Sequence, residues 1–409
     1  MSLASFLGEV RGAIQNEDGD ALRNLMRFNS NAALAVMQLS QRGASIPVSD
    51  VQRQLPSPWS DLVVSYLQAL LLHQKGEVIA ACKEFRERHA RGMLDAVKEQ
   101  QVWVVPAVLG MAVTLKYLSE QADQEQSKKG VNGTHVSSLA MFLQQLFSST
   151  AASKGPGSDV KKQAAVGIGC IMMKVYFLCN TINNCKNVIN TVDSILKNLD
   201  SAAASHRVTF RYYTGRLAAY DEDYEKAEEH LSYAFQHCHR DAMGNKRKVL
   251  RYLIPVRMLR GTLPSDQLLD KFHLQEYRNI KEAVQSGDVA LLLRSLEENQ
   301  VAFVQAGTYL LLEKLLLSAY RRLFRKVAVL HAEMNPAKAT QLPLALLHAA
   351  LQMQGLDKDN MELQCILANL IYRKYIKGYI AFKPRILVLA KTDAFPDLSQ
   401  VQLGDPFTL

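Results

Sequence analysis

Small and apolar residues recur at a fixed spacing in the stretch RYYTGRLAAYDEDYEKAEEHLSYAF, residues 211–235. Gly215 is followed by Ala227, Leu231 and Ala234 at offsets of 12, 16 and 19 residues. Side chains of little bulk at these positions allow two antiparallel helices to approach closely, and the polar segment DEDY between them suits a tight turn. The spacing therefore predicts a helical hairpin that is closely packed along one side.

A single helical hairpin cannot bury its own apolar face, so such hairpins have to stack on their neighbours. The spacing in residues 211–235 is typical of a tetratricopeptide-type (TPR-like) helix pair. The stretch KEAVQSGDVALLLRSLEEN, residues 281–299, has the same organisation around a turn at Ser286-Gly287-Asp288. These patterns predict an all-α fold in which TPR-like helical hairpins form an α-solenoid.

The solenoid is expected to extend to about residue 335. We divide it into N-terminal helical repeats at residues 1–205 and a second set of repeats at residues 206–335. Polar loops are expected at residues 119–138 and 148–162, where Gly and Ser are frequent.

The pattern changes after residue 335. A short helix is predicted at residues 342–351, and Asp359 with Glu362 resembles a capping box at the start of a second helix. This second helix is expected to end at Gly378. The segments YIAF and RILVLA then alternate like two strands around a tight turn at Lys383-Pro384. Two helices followed by a β-hairpin predict a winged helix at residues 336–391, with residues 392–409 as a C-terminal tail.

Positive charge is concentrated in this part of the chain. Residues 321–391 carry 12 Lys and Arg against 4 Asp and Glu, whereas residues 1–320 carry 36 against 32. Within residues 371–391 there is no acidic residue, and the basic ones are Arg373, Lys374, Lys377, Lys383, Arg385 and Lys391. Such a cluster predicts sequence-tolerant binding of RNA or DNA phosphates, and the alternative is a solvated surface. Six phosphate contacts would make log K fall with log salt at a slope of about −5.

Aromatic side chains alternate with these cations. Tyr372, Tyr375, Tyr379 and Phe382 could stack on bases, or they could pack between the helix and the wing.

Two further basic clusters precede the winged helix. In RRLFRK, residues 321–326, Arg321 and Arg325 share one helix face, which either extends the nucleic-acid or scaffold surface or is solvated. The second cluster, in residues 245–260, either binds an acidic, disordered partner or lays its side chains over the helical core. Its candidate partner-binding residues are Arg247, Lys248, Arg251, Arg257 and Arg260.

The sequence offers no candidate for catalysis or for metal binding. The motifs GxxxxGK[ST], GxSxG and HExxH are absent, and His237, Cys238 and His239 lack a second Cys or His pair nearby. The six cysteines contain no CxxC pair, so we expect mostly buried, free thiols. The longest apolar run, residues 102–115, contains Pro106 and is too short for a membrane span. A non-enzymatic protein without a cofactor, a small-molecule substrate or a membrane partner is expected.

Helical hairpins that lead into a terminal winged helix are also the layout of PCI domains. Three blocks, at residues 245–265, 307–327 and 366–391, look like those of one PCI branch, the Thp-type subunits of the second transcription–export (TREX) complex. The resemblance implies a scaffold or adaptor in mRNA export, located in the nucleus at the nuclear face of the pore, with the cytoplasm as a second location.

The resemblance also implies partners. Proteins of this branch pair with a Sac/GANP-type scaffold, are clasped by a small acidic Dss/Sem-type subunit, and form a basic platform for nucleic acid. It therefore favours partner binding for residues 245–260. The alternative is a purely structural PCI subunit of a proteasome-lid or signalosome-like assembly that does not bind nucleic acid.

Overall fold

The computed structural model of the 409-residue chain describes residues 3–28, 45–99, 102–195, 199–398 and 401. The chain forms two compact units, Met1–Tyr213 and Thr214–Leu409, and the division falls within the helix Ala204–Tyr220. The predicted boundary at residues 205/206 lies near the beginning of the same helix.

The described part of the first unit is helical throughout. Helices that are close in sequence pack against one another, and large side chains such as Phe6, Tyr66 and Phe85 are fully buried. A π-helical turn, Phe85–Ala90, joins two of the helices. The α-helices are α1 Leu3–Gln15, α2 Gly19–Leu25, α3 Val48–Gln54, α4 Trp59–Gln74, α5 Val78–Glu84, α6 Arg91–Lys98, α7 Val105–Lys128, α8 His135–Ala151, α9 Ser158–Leu178, α10 Asn184–Ile195 and α11 Ala204–Tyr220.

Helix α7 differs from its prediction in two ways. It continues to Lys128, so most of the loop expected at residues 119–138 is helical; the segment has no Gly or Pro before Gly130, and it is rich in helix-forming residues. Among the described residues, Val102–Lys128 is also long and apolar enough to cross a membrane by length and composition, contrary to the expectation from sequence. However, 56% of the apolar 18-residue stretch in this helix is buried within the protein, and the core helix of a soluble protein can be equally long and apolar.

The second unit contains the predicted TPR-like hairpin. Helices α11 and α12 are joined by a short turn, and Ala227, Leu231 and Ala234 are fully buried. A Cβ atom on Gly215 would lie 2.8 Å from Cγ of Leu231, so this position has no room for a side chain. The remaining helices before the winged helix are α12 Tyr224–His237, α13 Met243–Leu259, α14 Asp266–Lys271, α15 Arg278–Ser286, α16 Val289–Glu298, α17 Gln300–Ala306, α18 Tyr309–Glu313 and α19 Leu315–Met334.

The hairpin predicted at residues 281–299 is formed by α15 and α16. Gly287 ends α15 with φ of +78°, and the side chain of Asp288 caps α16 by accepting from the backbone N–H of Leu291 at 2.8 Å. A Cβ atom on Gly287 would lie 2.7 Å from the backbone nitrogen of Leu323, on α19. This glycine therefore serves both the turn and the close packing of the hairpin against the next helix.

The winged helix is present, with one strand more than predicted. The three strands pair antiparallel in the order β1-β3-β2, with Leu342 opposite Leu387 and Ile380 opposite Leu387 on the other side. Leu387 and Leu389 are buried against the helices. The elements are β1 Gln341–Pro343, α20 Leu344–Met353, α21 Asn360–Tyr372, β2 Gly378–Ala381 and β3 Ile386–Leu389.

The boundaries of α21 confirm one prediction and correct another. The capping box is formed, since the backbone N–H of Glu362 donates to Asp359 Oδ1 at 2.7 Å and that of Asp359 donates to Glu362 Oε2 at 3.0 Å. The helix ends at Tyr372 and not at Gly378. The chain leaves it through Lys374, which has φ of +60°. The predicted class, helical hairpins leading into a winged helix, is confirmed.

Candidate nucleic-acid interface

The cations of residues 371–391 lie at the two ends of the β-hairpin. Lys374 and Lys377 are in the segment between α21 and β2, and Lys391 follows β3. The backbone of Lys377 closes this end, because its carbonyl accepts from the N–H of Ala390 at 2.8 Å and its N–H donates to the carbonyl of Ala394 at 2.8 Å. We call this end of the hairpin, with its three exposed lysines, the hairpin base.

Lys383 and Arg385 lie at the opposite end, in the turn at residues 382–385 between β2 and β3. Both side chains are exposed. The turn is held by two backbone bonds: Arg385 donates to Phe382 at 3.3 Å, and the carbonyl of Arg385 accepts from the N–H of Leu344 at 3.0 Å. This end of the hairpin is the wing tip.

Two of the six cations are paired inside the protein. Arg373 lies 3.6 Å from Glu222, and the Lys377 ammonium binds the Asp393 carboxylate. The absence of acidic neighbours in residues 371–391 therefore does not hold in three dimensions, because the carboxylates come from the turn before α12 and from the segment after β3. In the described part of the chain, no ion pair involves the other four cations, Lys374, Lys383, Arg385 and Lys391.

The aromatic residues divide between the two roles considered from sequence. Tyr375 is 3% exposed, and burial raises its pKa to about 12, so this ring packs in the interior. Tyr379 and Phe382 are 61% and 75% exposed, on β2 and at the wing tip. These two rings are accessible to a base.

The structure separates Arg321 from Arg325. Arg321 is 6% exposed, and its Nη2 donates to the backbone carbonyls of Phe395 and Pro396. Arg325, one helical turn away, is exposed. The assignment of Arg321 to an exposed nucleic-acid surface is therefore wrong, because the segment after β3 covers it.

The basic residues of the cluster at residues 245–260 fall into two groups, those in an ion pair within the chain and those without a described one. Arg257 and Arg260 both bind the carboxylate of Glu228 on α12, at 3.1 and 2.7 Å, and so join α12 to α13. The other three residues are not in a described ion pair: Lys248 is exposed, while Arg247 and Arg251 are half-buried. Of the predicted partner-binding residues, Arg257 and Arg260 thus have a role within the fold.

Among the described residues, no group of three or more His, Cys, Asp or Glu side chains is placed to hold a metal ion. None of the six cysteines, all of which lie in the described part of the chain, is in a disulfide; Cys82, Cys170, Cys185 and Cys238 are buried, and burial raises the pKa of the Cys170 thiol. His237, which lies beside Cys238 in sequence, stacks on Tyr233 with ring centroids 3.9 Å apart.

Family comparisons agree with both parts of this architecture. A family model described as PSMD3-like, N-terminal TPR repeats, matches residues 135–278. A PCI domain model matches residues 296–391, which include the winged helix. PCI domain proteins are generally non-catalytic scaffold subunits, and neither matched model is an enzyme family.

Full-length relatives support the same assignment. PCI domain-containing protein 2 of Danio rerio is 35% identical over 98% of this chain and 99% of its own length. Enhanced ethylene response protein 5 of Arabidopsis thaliana is 30% identical over 97% of this chain and 96% of its own. Protein CSN12 homolog of Mycosarcoma maydis is 30% identical over 99% of this chain and 100% of its own. The resemblance to PCI proteins is thereby confirmed, and the chain belongs to the PCI domain-containing protein 2 family of PCI scaffold subunits.

Proposed function

We propose that this chain is a non-enzymatic adaptor of a transcription–export (TREX) type complex and that it holds RNA or DNA through the hairpin of its winged helix. The observation that carries the proposal is the set of four exposed cations without a described ion pair. Lys374 and Lys391 lie at the hairpin base, and Lys383 and Arg385 lie at the wing tip. Exposed cations at both ends of a hairpin provide a line of contacts for successive phosphates.

The contacts proposed here are with the backbone of the nucleic acid, with a contribution from stacking. Phosphate contacts position a nucleic acid without reading its sequence. Tyr379 and Phe382 are exposed on the same hairpin, and stacking on aromatic rings tolerates any base. Binding is therefore expected to tolerate sequence and to depend strongly on salt. Four phosphate contacts correspond to a slope of about −3.6 in log K against log salt for duplex DNA.

The proposed protein partners rest on family membership and on the second basic cluster. In this proposal a Sac/GANP-type scaffold binds the PCI region, and a small acidic Dss/Sem-type subunit contacts α13. Arg247, Lys248 and Arg251 would receive its carboxylates, since Arg257 and Arg260 are engaged with Glu228. The site of action would be the nucleus, including the nuclear face of the pore.

The test compares two charge-reversal pairs in the full-length chain by fluorescence anisotropy with a labelled single-stranded RNA. Lys383→Glu with Arg385→Glu removes the wing-tip cations, and Lys75→Glu with Lys154→Glu makes the same change in net charge on exposed residues of the first unit. The wing-tip pair is expected to weaken binding at least tenfold and to flatten the salt slope by about 1.4, at about 0.7 for each lost single-strand contact. Equal losses in both pairs would show that only net charge matters and would refute the proposal.

A purely structural PCI subunit is the second candidate. Two observations favour it: the first family model is described as PSMD3-like, and Arg373 and Lys377 are already paired within the protein. This candidate predicts no RNA binding by the wild-type chain at 0.1 M salt and unchanged assembly with protein partners in the wing-tip variant. Co-purification of bound polypeptides with the wild type and the variant would distinguish the two candidates.

A further inference from the structure

A cavity of about 480 Å³ lies in the second unit, apart from the wing cations. Its walls come from the ends of α13 and α15, from α19, and from the segment after β3. Phe395 and Leu398 of that segment form one side, and Met258 and Val284 add apolar surface. A cavity of this size is in the range that holds a small organic molecule.

The charged groups that line the cavity are mostly positive. Arg321, Arg322 and Arg325 of α19 carry three positive charges, and Asp397 carries one negative charge. The Nε of Arg322 donates to the carbonyl of Gln285 at 3.1 Å, while no hydrogen bond or ion pair is described for Arg325. The cavity thus has a net formal charge of +2 from its lining residues.

Arg321 is the most constrained member of this set. Its side chain is 6% exposed, and its Nη2 donates to the carbonyls of Phe395 and Pro396. Its Nε, which is also buried, has no hydrogen-bond partner among the described residues. A buried guanidinium N–H without an acceptor is costly, so the positive charge of Arg321 is incompletely satisfied within the described chain, and an anion in the cavity that this residue lines would stabilise it.

The spacing of the arginines also favours a bound anion. Arg321 and Arg325 are one helical turn apart, a spacing at which like charges repel. Burial lowers the pKa of Arg321, and the positive charges of Arg325 and Arg322 lower it further, while the carboxylate of Asp397 acts in the opposite direction. An anion between these side chains would offset the repulsion and could accept from the exposed N–H groups of Arg325.

We propose that this cavity binds the phosphate group of a small phosphorylated compound. Guanidinium groups match phosphate oxygens with paired, charge-assisted hydrogen bonds, and a dianion balances the net charge of +2. The apolar surface of Met258, Val284 and Leu398 would contact the rest of the molecule. The site does not depend on the wing cations. The same chemistry is present in free phosphorylated compounds and in the 5′-phosphate of an RNA end.

The test is isothermal titration calorimetry of the full-length chain with inorganic tripolyphosphate at low ionic strength. The wild type is expected to bind one equivalent, and Arg325→Gln is expected to lose at least tenfold in affinity, as for one charge-assisted contact. Asp397→Asn is expected to bind more tightly, because the substitution removes the competing carboxylate. Lys75→Gln with Lys154→Gln, which removes two positive charges from exposed residues of the first unit, is expected to leave this affinity unchanged.

A second arm distinguishes the two sources of phosphate. A short RNA is compared with and without a 5′-phosphate, each in the wild type and in Arg325→Gln. A preference for the phosphorylated end that disappears in Arg325→Gln would identify an RNA end as a ligand, and its absence together with tripolyphosphate binding would identify a free compound. The proposal is overturned if the wild type binds neither probe at millimolar concentration, or if Arg325→Gln and Asp397→Asn bind as the wild type does.

Discussion

The ion pair between Lys377 and Asp393 provides a gain-of-function test of the proposed nucleic-acid surface. Both side chains are about half-exposed, at 50% and 51%, at the hairpin base. Replacing Asp393 by Asn would release the lysine as a fifth cation on the hairpin. Asp393 has φ of +50°, and Asn is among the residues that best tolerate this backbone region, so the substitution is compatible with the local conformation.

The expected size of the effect follows from counterion release. Each additional phosphate contact steepens the slope of log K against log salt by about 0.9 for duplex DNA. If a lysine–phosphate contact is taken as neutral in free energy at 1 M salt, Asp393→Asn should strengthen binding about eightfold at 0.1 M and about twofold at 0.4 M. Fluorescence anisotropy with a labelled duplex across this range of salt measures both the affinity and the slope.

A matched control is available in the first unit. Asp50 pairs with Arg53 at 2.8 Å and is equally exposed, at 51%, so Asp50→Asn makes the same change in net charge away from the winged helix. Asp50→Asn is expected to change affinity by less than twofold. If Asp393→Asn leaves the slope unchanged, or if Asp50→Asn produces the same gain, then Lys377 is not at the interface and the argument from local charge is wrong.

Three predictions concern folding. Gly287→Ala should lower the free energy of unfolding by about 1–3 kcal/mol in chemical denaturation, because it adds backbone strain and a clash with α19. Gly355→Ala should cost less, because Gly355 has a similar φ of +76° but open space around it. Equal costs for the two substitutions would contradict the role of the clash. Asp359→Ala should cost about 1 kcal/mol through loss of the capping box, and no measurable change would argue against it. His89 is buried and its pKa is lowered to about 4, so the unfolded chain takes up a proton at this residue first as the pH falls. The free energy of unfolding should therefore decrease by up to about 3 kcal/mol between pH 6.5 and 4. His89→Gln should flatten this pH dependence in denaturation curves.

Local sequence was sufficient to predict the helical hairpins and the start of α21. The hairpin around Gly215 depends on small residues at spacings that only neighbouring helices use, and the capping box depends on two residues three positions apart. Both signals act over a few residues, so they can be interpreted without knowledge of the rest of the chain. The basic character of residues 371–391 is local in the same sense.

The tertiary structure alone decided which features of the C-terminal part are accessible. Strand β1 is three residues long, contains Pro343, and exists only because it pairs with the distant β3. The helix before the wing ends early because Tyr375 and Ile376 turn into the interior, although Gly378 is the first glycine after it. Glu222, Asp393 and the segment after β3 reach Arg373, Lys377 and Arg321 from elsewhere in the sequence. The sequence shows which residues are charged, but only the fold shows which of them are paired with another residue. The fold therefore had to be known before the cations available to a ligand could be identified.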